Sequence, residues 1–432
     1  MFLFFIVATL QVQLMSSSIL SGPAADKELM MTFVVNRHGE RTPDADELSL
    51  SDQKERLLNL TRIEGLEGLT NIGKRRAYQI GKFIRQRYGS QGLGLLSDLY
   101  LQDEIALRST DKERTKMTAQ VAMSALYPPV AEQQWDEGLG KIWQPVPYTT
   151  VPLSEDYLRY YSNCERFKDL MKQAKAEAVQ QEFQQFNDLA ILLKARTGVD
   201  FTENPVMYET LFDLFKSQTS MVQLDRDPFS CEVEGLKLNP PRCSAASWQT
   251  ILSVKSNDRC QVSLGLDIPE WAKPLLPKLG EAARLAYRLF FRYEEMKKIG
   301  GGVILNDFVQ AATDISQGKP VKKRFRVYSA HDFNIGSLME ATRVIRHEQS
   351  NPEYGSLFGL ELYRSKTSGE FTVMAIYLPR AGESTLQMLH FTGCETSSHC
   401  DLEKFKEITR NYLLPEKDYH RICNTMPSSF KN

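Results

Sequence analysis

A run of apolar and β-branched residues, Met30 to Asn36, breaks off directly into Arg37-His38-Gly39-Glu40-Arg41-Thr42-Pro43. The run reads as a buried strand, and two guanidiniums around an imidazole cannot be buried along with it unpaired. They belong in a cleft at the strand's carboxyl end, which is where open α/β sheets bind ligands. Glycine lets a backbone come close to an anion, and paired arginines match the oxygens of a phosphoryl group. The stretch predicts a phosphate pocket with His38 as the attacking group.

Four hundred and thirty-two residues suffice for one large domain with an insertion, or for two. A net charge of −1 leaves no electrostatic footprint for nucleic acid or an anionic membrane, so anion binding has to be local. Met1 to Leu14 is almost wholly apolar and Ser16-Ser17-Ser18 follows. This predicts a signal peptide over residues 1–22, with cleavage between Ser18 and Ala25, although a basic n-region is missing. No other window is apolar enough to span a bilayer, and the tail from Met426 is polar, so no C-terminal membrane anchor is expected. Cysteines at 164, 231, 243, 260, 394, 400 and 423 fit an oxidising compartment and show no Cys-x-x-Cys spacing. Cys394 and Cys400 bracket a short polar loop that a local bridge could close. Asn59-Leu60-Thr61 is a glycosylation sequon in a charged stretch.

Further along, Asp44 to Glu67 reads as loop with some helix, and Asn71 to Tyr88 as a helix capped at Asn71 and ended by Gly89. Ile105-Ala106-Leu107 is a strand running into Arg108-Ser109-Thr110-Asp111, and a helix continues from there to Leu126. Residues 154–275 read as an inserted, mostly helical lobe, leaving 27–153 and 276–432 as the core. Lys278 to Lys298 is expected to be a helix stopped by Gly300-Gly301-Gly302, with another helix from Val303 to Ser316. Arg324 to Ala330 is a strand ending in His331-Asp332, and Phe358–Arg364 and Phe371–Leu378 form a hairpin. Strands separated by helices predict an α/β sheet flanked by helices.

Three strand exits thus carry functional groups: Arg37-His38 with Arg41, Arg108, and His331-Asp332. Parallel strands would bring them to one edge. Arg37, Arg41 and Arg108 would then clamp a multiply charged anion, with His331 donating to a phosphoryl oxygen. Arginines nearby would keep His38 unprotonated in acid, and Asp332 would protonate the leaving alcohol. No metal or other cofactor is needed, because the guanidiniums supply the positive charge. An isolated Arg-His-Gly is more readily a turn at a strand end, and His331-Asp332 alone a surface pair. The seven-residue form after an apolar strand, repeated in kind at a second exit, tips both toward chemistry.

At these residues the chain resembles the histidine acid phosphatase family, particularly its prostatic and lysosomal branch. The likeness runs through Arg37 to Pro43, Leu107-Arg108-Ser109-Thr110-Asp111, Trp143-Gln144-Pro145-Val146-Pro147, Val151 to Asp156 and Tyr328-Ser329-Ala330-His331-Asp332. It implies a phosphoglycerate-mutase-like α/β core with a helical cap lobe, often a homodimer. It also implies metal-free hydrolysis of phosphomonoesters at acid pH, with His38 phosphorylated, Asp332 as proton donor and Arg37, Arg41, Arg108 and His331 holding phosphate. Disulfides Cys164–Cys423 and Cys394–Cys400 are implied too. Cys260 lacks its usual family partner near Leu357, which leaves Cys231 or Cys243 for it and a rebuilt cap around 222–265. The missing membrane tail favours secretion over a lysosomal lumen. The competing expectations are a narrow lipid, nucleotide or phosphoprotein phosphatase, and a catalytically silent secreted binding protein on the same fold.

Overall fold

The computed structural model describes residues 26–219, 221–223, 231–233, 236–238, 260–262, 264, 266–346 and 350–425. The expected signal segment and Cys243 lie outside the described residues, and so do the side chains on which the pairing of Cys231 and Cys260 depends. The chain opens with β1 (Lys27–Arg37), α1 (Ala45–Leu50), α2 (Lys54–Leu60), α3 (Asn71–Tyr88), β2 (Ile105–Ser109) and α4 (Glu113–Leu126). Within 154–275 come α5 (Glu165–Gln181), α6 (Asn187–Thr197) and α7 (Val206–Thr219), followed by two short antiparallel strand pairs. The chain continues through α8 (Leu276–Arg288), α9 (Glu294–Ser316), β3 (Phe325–Ala330), α10 (Asp332–Ala341), β4 (Leu357–Ser365) and β5 (Phe371–Leu378). It closes with β6 (Gln387–Leu389), β7 (His399–Asp401), α11 (Leu402–Thr409) and α12 (Glu416–Cys423).

The main sheet has the order β6-β5-β4-β1-β3-β2, and β7 also pairs with β5. Strands β1, β3 and β2 are parallel to one another; the rest of the sheet is antiparallel. The register sets Arg37 beside Ala330 and Ser109 beside Ser329, so the chain leaves all three parallel strands at one edge and nearly one level. Here the alternation of side chains explains the unbroken apolar run. Met31, Phe33 and Val35 pack with Val303 and Phe308 of α9 and Ile335 of α10, while Val34 packs with Ile80 and Ile84 of α3 and Ala122 of α4. A strand covered on both faces needs apolar residues at every position. The predicted hairpin is present as β4–β5. The helix over 71–88 is also as expected, though its cap is Thr70, whose hydroxyl accepts from the Gly73 amide at 3.1 Å.

The triple glycine does not stop a helix. It lies inside α9, and the break comes earlier, at the short turn Leu289–Phe291. A Cβ at Gly301 would come within 2.4 Å of the Ser337 carbonyl oxygen, and one at Gly302 within 2.3 Å of the Tyr412 carbonyl oxygen. The three glycines let α10 and the turn Arg410–Tyr412 press against α9, and tertiary approach outweighs helix propensity. Both implied disulfides, Cys164–Cys423 and Cys394–Cys400, are formed. The sequon residue Asn59 is exposed on α2. Among the described residues no helix is long and apolar enough to cross a membrane.

Candidate active site

His38 follows β1 directly, and its amide donates to the Ala330 carbonyl of β3 at 3.2 Å. Its ring is buried and ordered from both ends: Nδ1 lies 2.8 Å from the Gly39 carbonyl, and Nε2 lies 3.0 Å from Nε of Arg114. A guanidinium can only donate, so Nε2 is the acceptor and the proton is on Nδ1. Burial together with the positive charges of Arg114, Arg37 and Arg41 holds the imidazole well below the usual histidine range. The result is a neutral ring whose Nε2 lone pair accepts from one of a group of cations. Gly39 has a different use from the one expected. A Cβ there would meet the Gly73 carbonyl oxygen at 2.2 Å, so this glycine allows α3 to close on the loop. Glu40 faces neither solvent nor Arg41; it is buried between Arg76, at 3.0 Å, and Arg380, at 3.3 Å.

His331, the first residue beyond β3, stands with its ring centroid 5.4 Å from that of His38. Its Nε2 lies 3.0 Å from the Thr110 hydroxyl and 3.3 Å from Nη1 of Arg159. Burial, then Arg114 and Arg159, hold it too well below the usual range. Asp332 begins α10 and lies 3.2 Å from Nη2 of Arg37. That guanidinium is 4.0 Å above the Tyr354 ring and also holds the Pro352 carbonyl at 2.7 Å. Arg41 is gripped by Glu47 of α1 through contacts of 2.7 and 3.0 Å. Burial, opposed by Arg41, lifts the Glu47 carboxyl to about 7.

Thus Arg37, His38, Arg41, His331 and Asp332 come together, as the strand exits predicted. Arg108 does not join them. Its Nη2 is 2.5 Å from buried Asp156 and its guanidinium stacks at 3.9 Å on Tyr157. The physical reason lies in the strand: residue 108 is still within β2, and its side chain goes to the face carrying Asp156 and Tyr157 rather than beyond the strand end. The third guanidinium at His38 is that of Arg114, from the first turn of α4, itself paired with Glu67 at 2.5 Å. A sequence signal for it existed. Arg114, Thr115 and Thr118 are polar residues on the buried face of a helix starting at a strand exit, where a purely structural helix would be apolar. Arg159 and Asp213 were equally unforeseen. Asp213 lies on α7, and both its oxygens reach Nη2 of Arg37, at 3.1 and 2.9 Å.

A sheet with this strand order, histidines just beyond two adjacent parallel strands and guanidiniums around them define a phosphoryl-transfer class. Comparison with known proteins places the chain within it. Residues 28–377 match the model of the histidine phosphatase superfamily (branch 2), and the chain belongs to that family. It is a phosphatase. It is 29% identical over 408 residues to human prostatic acid phosphatase, covering 93% of this chain and 89% of that one. Venom acid phosphatase Acph-1 of Apis mellifera is 27% identical, with 92% and 88% covered, and human lysosomal acid phosphatase 25%, with 96% and 85% covered. The fold is shared with the Hafnia alvei phytase in its apo form (TM-score 0.57, 14% identity, 91% and 99% covered) and the Klebsiella phytase (TM-score 0.54, 16% identity, 91% and 97% covered).

Proposed function

We propose that this protein hydrolyses phosphomonoesters at acid pH through a phosphohistidine on His38. The observation that carries the reading is the neutral His38 ring with Nε2 turned toward Arg114. When substrate enters, Arg114, Arg37 and Arg41 take phosphoryl oxygens and Nε2 is released to attack phosphorus. The P–N bond forms as the ester P–O bond breaks, and protonated Asp332 gives its proton to the departing alkoxide. The Asp332 carboxylate then takes a proton from water, whose oxygen attacks phosphorus, breaks the P–N bond and frees inorganic phosphate. His331 hydrogen-bonds a phosphoryl oxygen, and the guanidiniums offset the charge that develops on the equatorial oxygens. No cofactor enters the scheme.

The protein acts in an oxidising compartment, after removal of residues 1–22 and with a glycan on Asn59. Relatives include prostatic, venom and lysosomal acid phosphatases, the two disulfides fit an oxidising compartment, and secretion is the reading proposed, with a lysosomal lumen as its alternative. Assembly as a homodimer belongs to the same reading. The test is turnover of p-nitrophenyl phosphate across pH, with and without chelator. Activity should peak in acid and resist chelation. His38→Ala should lose on the order of 10⁴-fold or more in kcat, and Asp332→Ala should suffer most with poor leaving groups. Absence of turnover in the unsubstituted protein at every pH would favour the catalytically silent binding protein instead.

A further inference from the structure

The clamp is not empty of anions. Arg37 gives Nη1 to the Pro352 carbonyl and Nη2 to both oxygens of Asp213 and forms an ion pair with Asp332 at 3.2 Å, while its buried Nε has no hydrogen-bond partner among the described residues. The same Asp213 Oδ2 lies 3.7 Å from Nη2 of Arg41 and accepts from the Tyr354 hydroxyl at 3.1 Å. A carboxylate so placed offers the two guanidiniums what two oxygens of a phosphoryl group would offer. It comes from α7, within the lobe expected to cover the pocket. One turn further along that helix, Lys216 is pinned to Glu353 at 2.9 Å. Burial acts to raise the Asp213 carboxyl, but Arg37, Arg41 and Lys216 prevail and hold it at about 2. Asp213 is therefore charged whenever Arg37 holds it.

We propose that Asp213 is a specificity-determining residue, an internal competitor for the Arg37–Arg41 clamp that a substrate phosphoryl group must displace. Asp332 and Glu47 already offset part of the positive charge on these buried guanidiniums, so a further anion is repelled by Asp213 where water is scarce, and phosphate and Asp213 compete for the clamp. Only ligands that add further contacts at Arg114 and His331 repay the displacement. Carboxylates, with two oxygens to share among these groups where a phosphoryl group has three, do not. The same competition hastens release of product phosphate. This inference rests on the clamp assigned under the proposed function.

The test is binding of inorganic phosphate to the full mature chain, measured calorimetrically at one acid pH. Asp213→Asn keeps the shape and removes the charge, so it should bind phosphate roughly ten-fold tighter or more. Tyr354→Phe, which only frees the carboxylate from one hydrogen bond, should move the affinity in the same direction by less, and it serves if the first variant folds poorly. A residue that merely positions Arg37 would give the opposite sign: phosphate binding equal to or weaker than the unsubstituted protein in Asp213→Asn overturns the inference. Arg37→Ala separates the two levels. If it abolishes phosphate binding while Asp213→Asn changes nothing, the competitor falls and the phosphatase reading stands. If Arg37→Ala binds phosphate undiminished, both fall.

Discussion

At the residue, the decisive quantity is the protonation of His38. Its folded-state affinity for protons is depressed by burial and by Arg114, Arg37 and Arg41, so it stays neutral at pH values where an unfolded histidine, near ~6.5, is charged. Below that value the unfolded chain binds the extra proton and the native one does not. This makes His38 a cost to stability in acid and an asset to catalysis there. The acid limb of kcat/KM should accordingly fall well below the ordinary histidine value. Arg114→Gln should move that limb upward by removing the closest cation, and should lower kcat/KM roughly 10²- to 10³-fold. Arg108→Gln should leave the limb in place and instead destabilise the fold by about 1–3 kcal/mol, because Asp156 is fully buried. A pH-rate series with a denaturation curve for each variant checks both. Sequence alone located the histidines and two of the three arginines because each ends a strand or stands within a few residues beyond one. It misassigned the third because Arg108 looks like a strand-exit group while Arg114 reaches the pocket from the next helix.

Helices and strands were legible wherever local pattern and tertiary demand agreed. The β1 run, the hairpin and α3 are such places: alternation, turn residues and the apolar stripe on Ala77, Ile80, Ile84 and Tyr88 all point to what the fold buries. The glycines of α9 are the opposite case. Locally they are helix breakers, and only distant groups explain them: Ser337, on a helix more than thirty residues later, for Gly300 and Gly301, and the Tyr412 carbonyl for Gly302. The Ser337 contact matters to the site, because α10 presents Asp332 at its first position. Gly301→Ala should push the two helices apart, costing about 1–3 kcal/mol by overpacking and lowering kcat more than it alters KM, since Asp332 moves relative to the leaving group. Gly369→Ala, at the exposed hairpin turn with φ +76, is the control: a stability loss from backbone strain without the kcat effect. Steady-state kinetics beside urea titrations would separate them, and equal kcat in both variants would deny α10 its positioning role.

For the whole molecule, the sheet collects residues almost three hundred positions apart at one edge, and that convergence was readable from the three strand exits alone. What holds distant segments to it was less so. Buried pairs such as Arg87 with Glu361, at 2.7 Å and both fully covered, carry no local signature, since charge in a helix ordinarily marks its wet side. Cys164–Cys423 is the covalent version of such a tie. It joins the start of α5 to the end of α12 across 259 residues of sequence, so the last helix is fastened to the segment that leads into α7 and Asp213. Closing so long a loop removes considerable entropy from the unfolded chain, and a double Cys164→Ser/Cys423→Ser variant should lose about 3–5 kcal/mol. Cys394–Cys400 closes only a short loop, with a sequence separation of 6. Its double-serine counterpart should lose distinctly less, because the entropic term grows with loop length. Guanidinium titrations of the two variants measure that ordering. A reversed order would mean that strain in the folded state, rather than freedom in the unfolded one, governs what these bridges contribute.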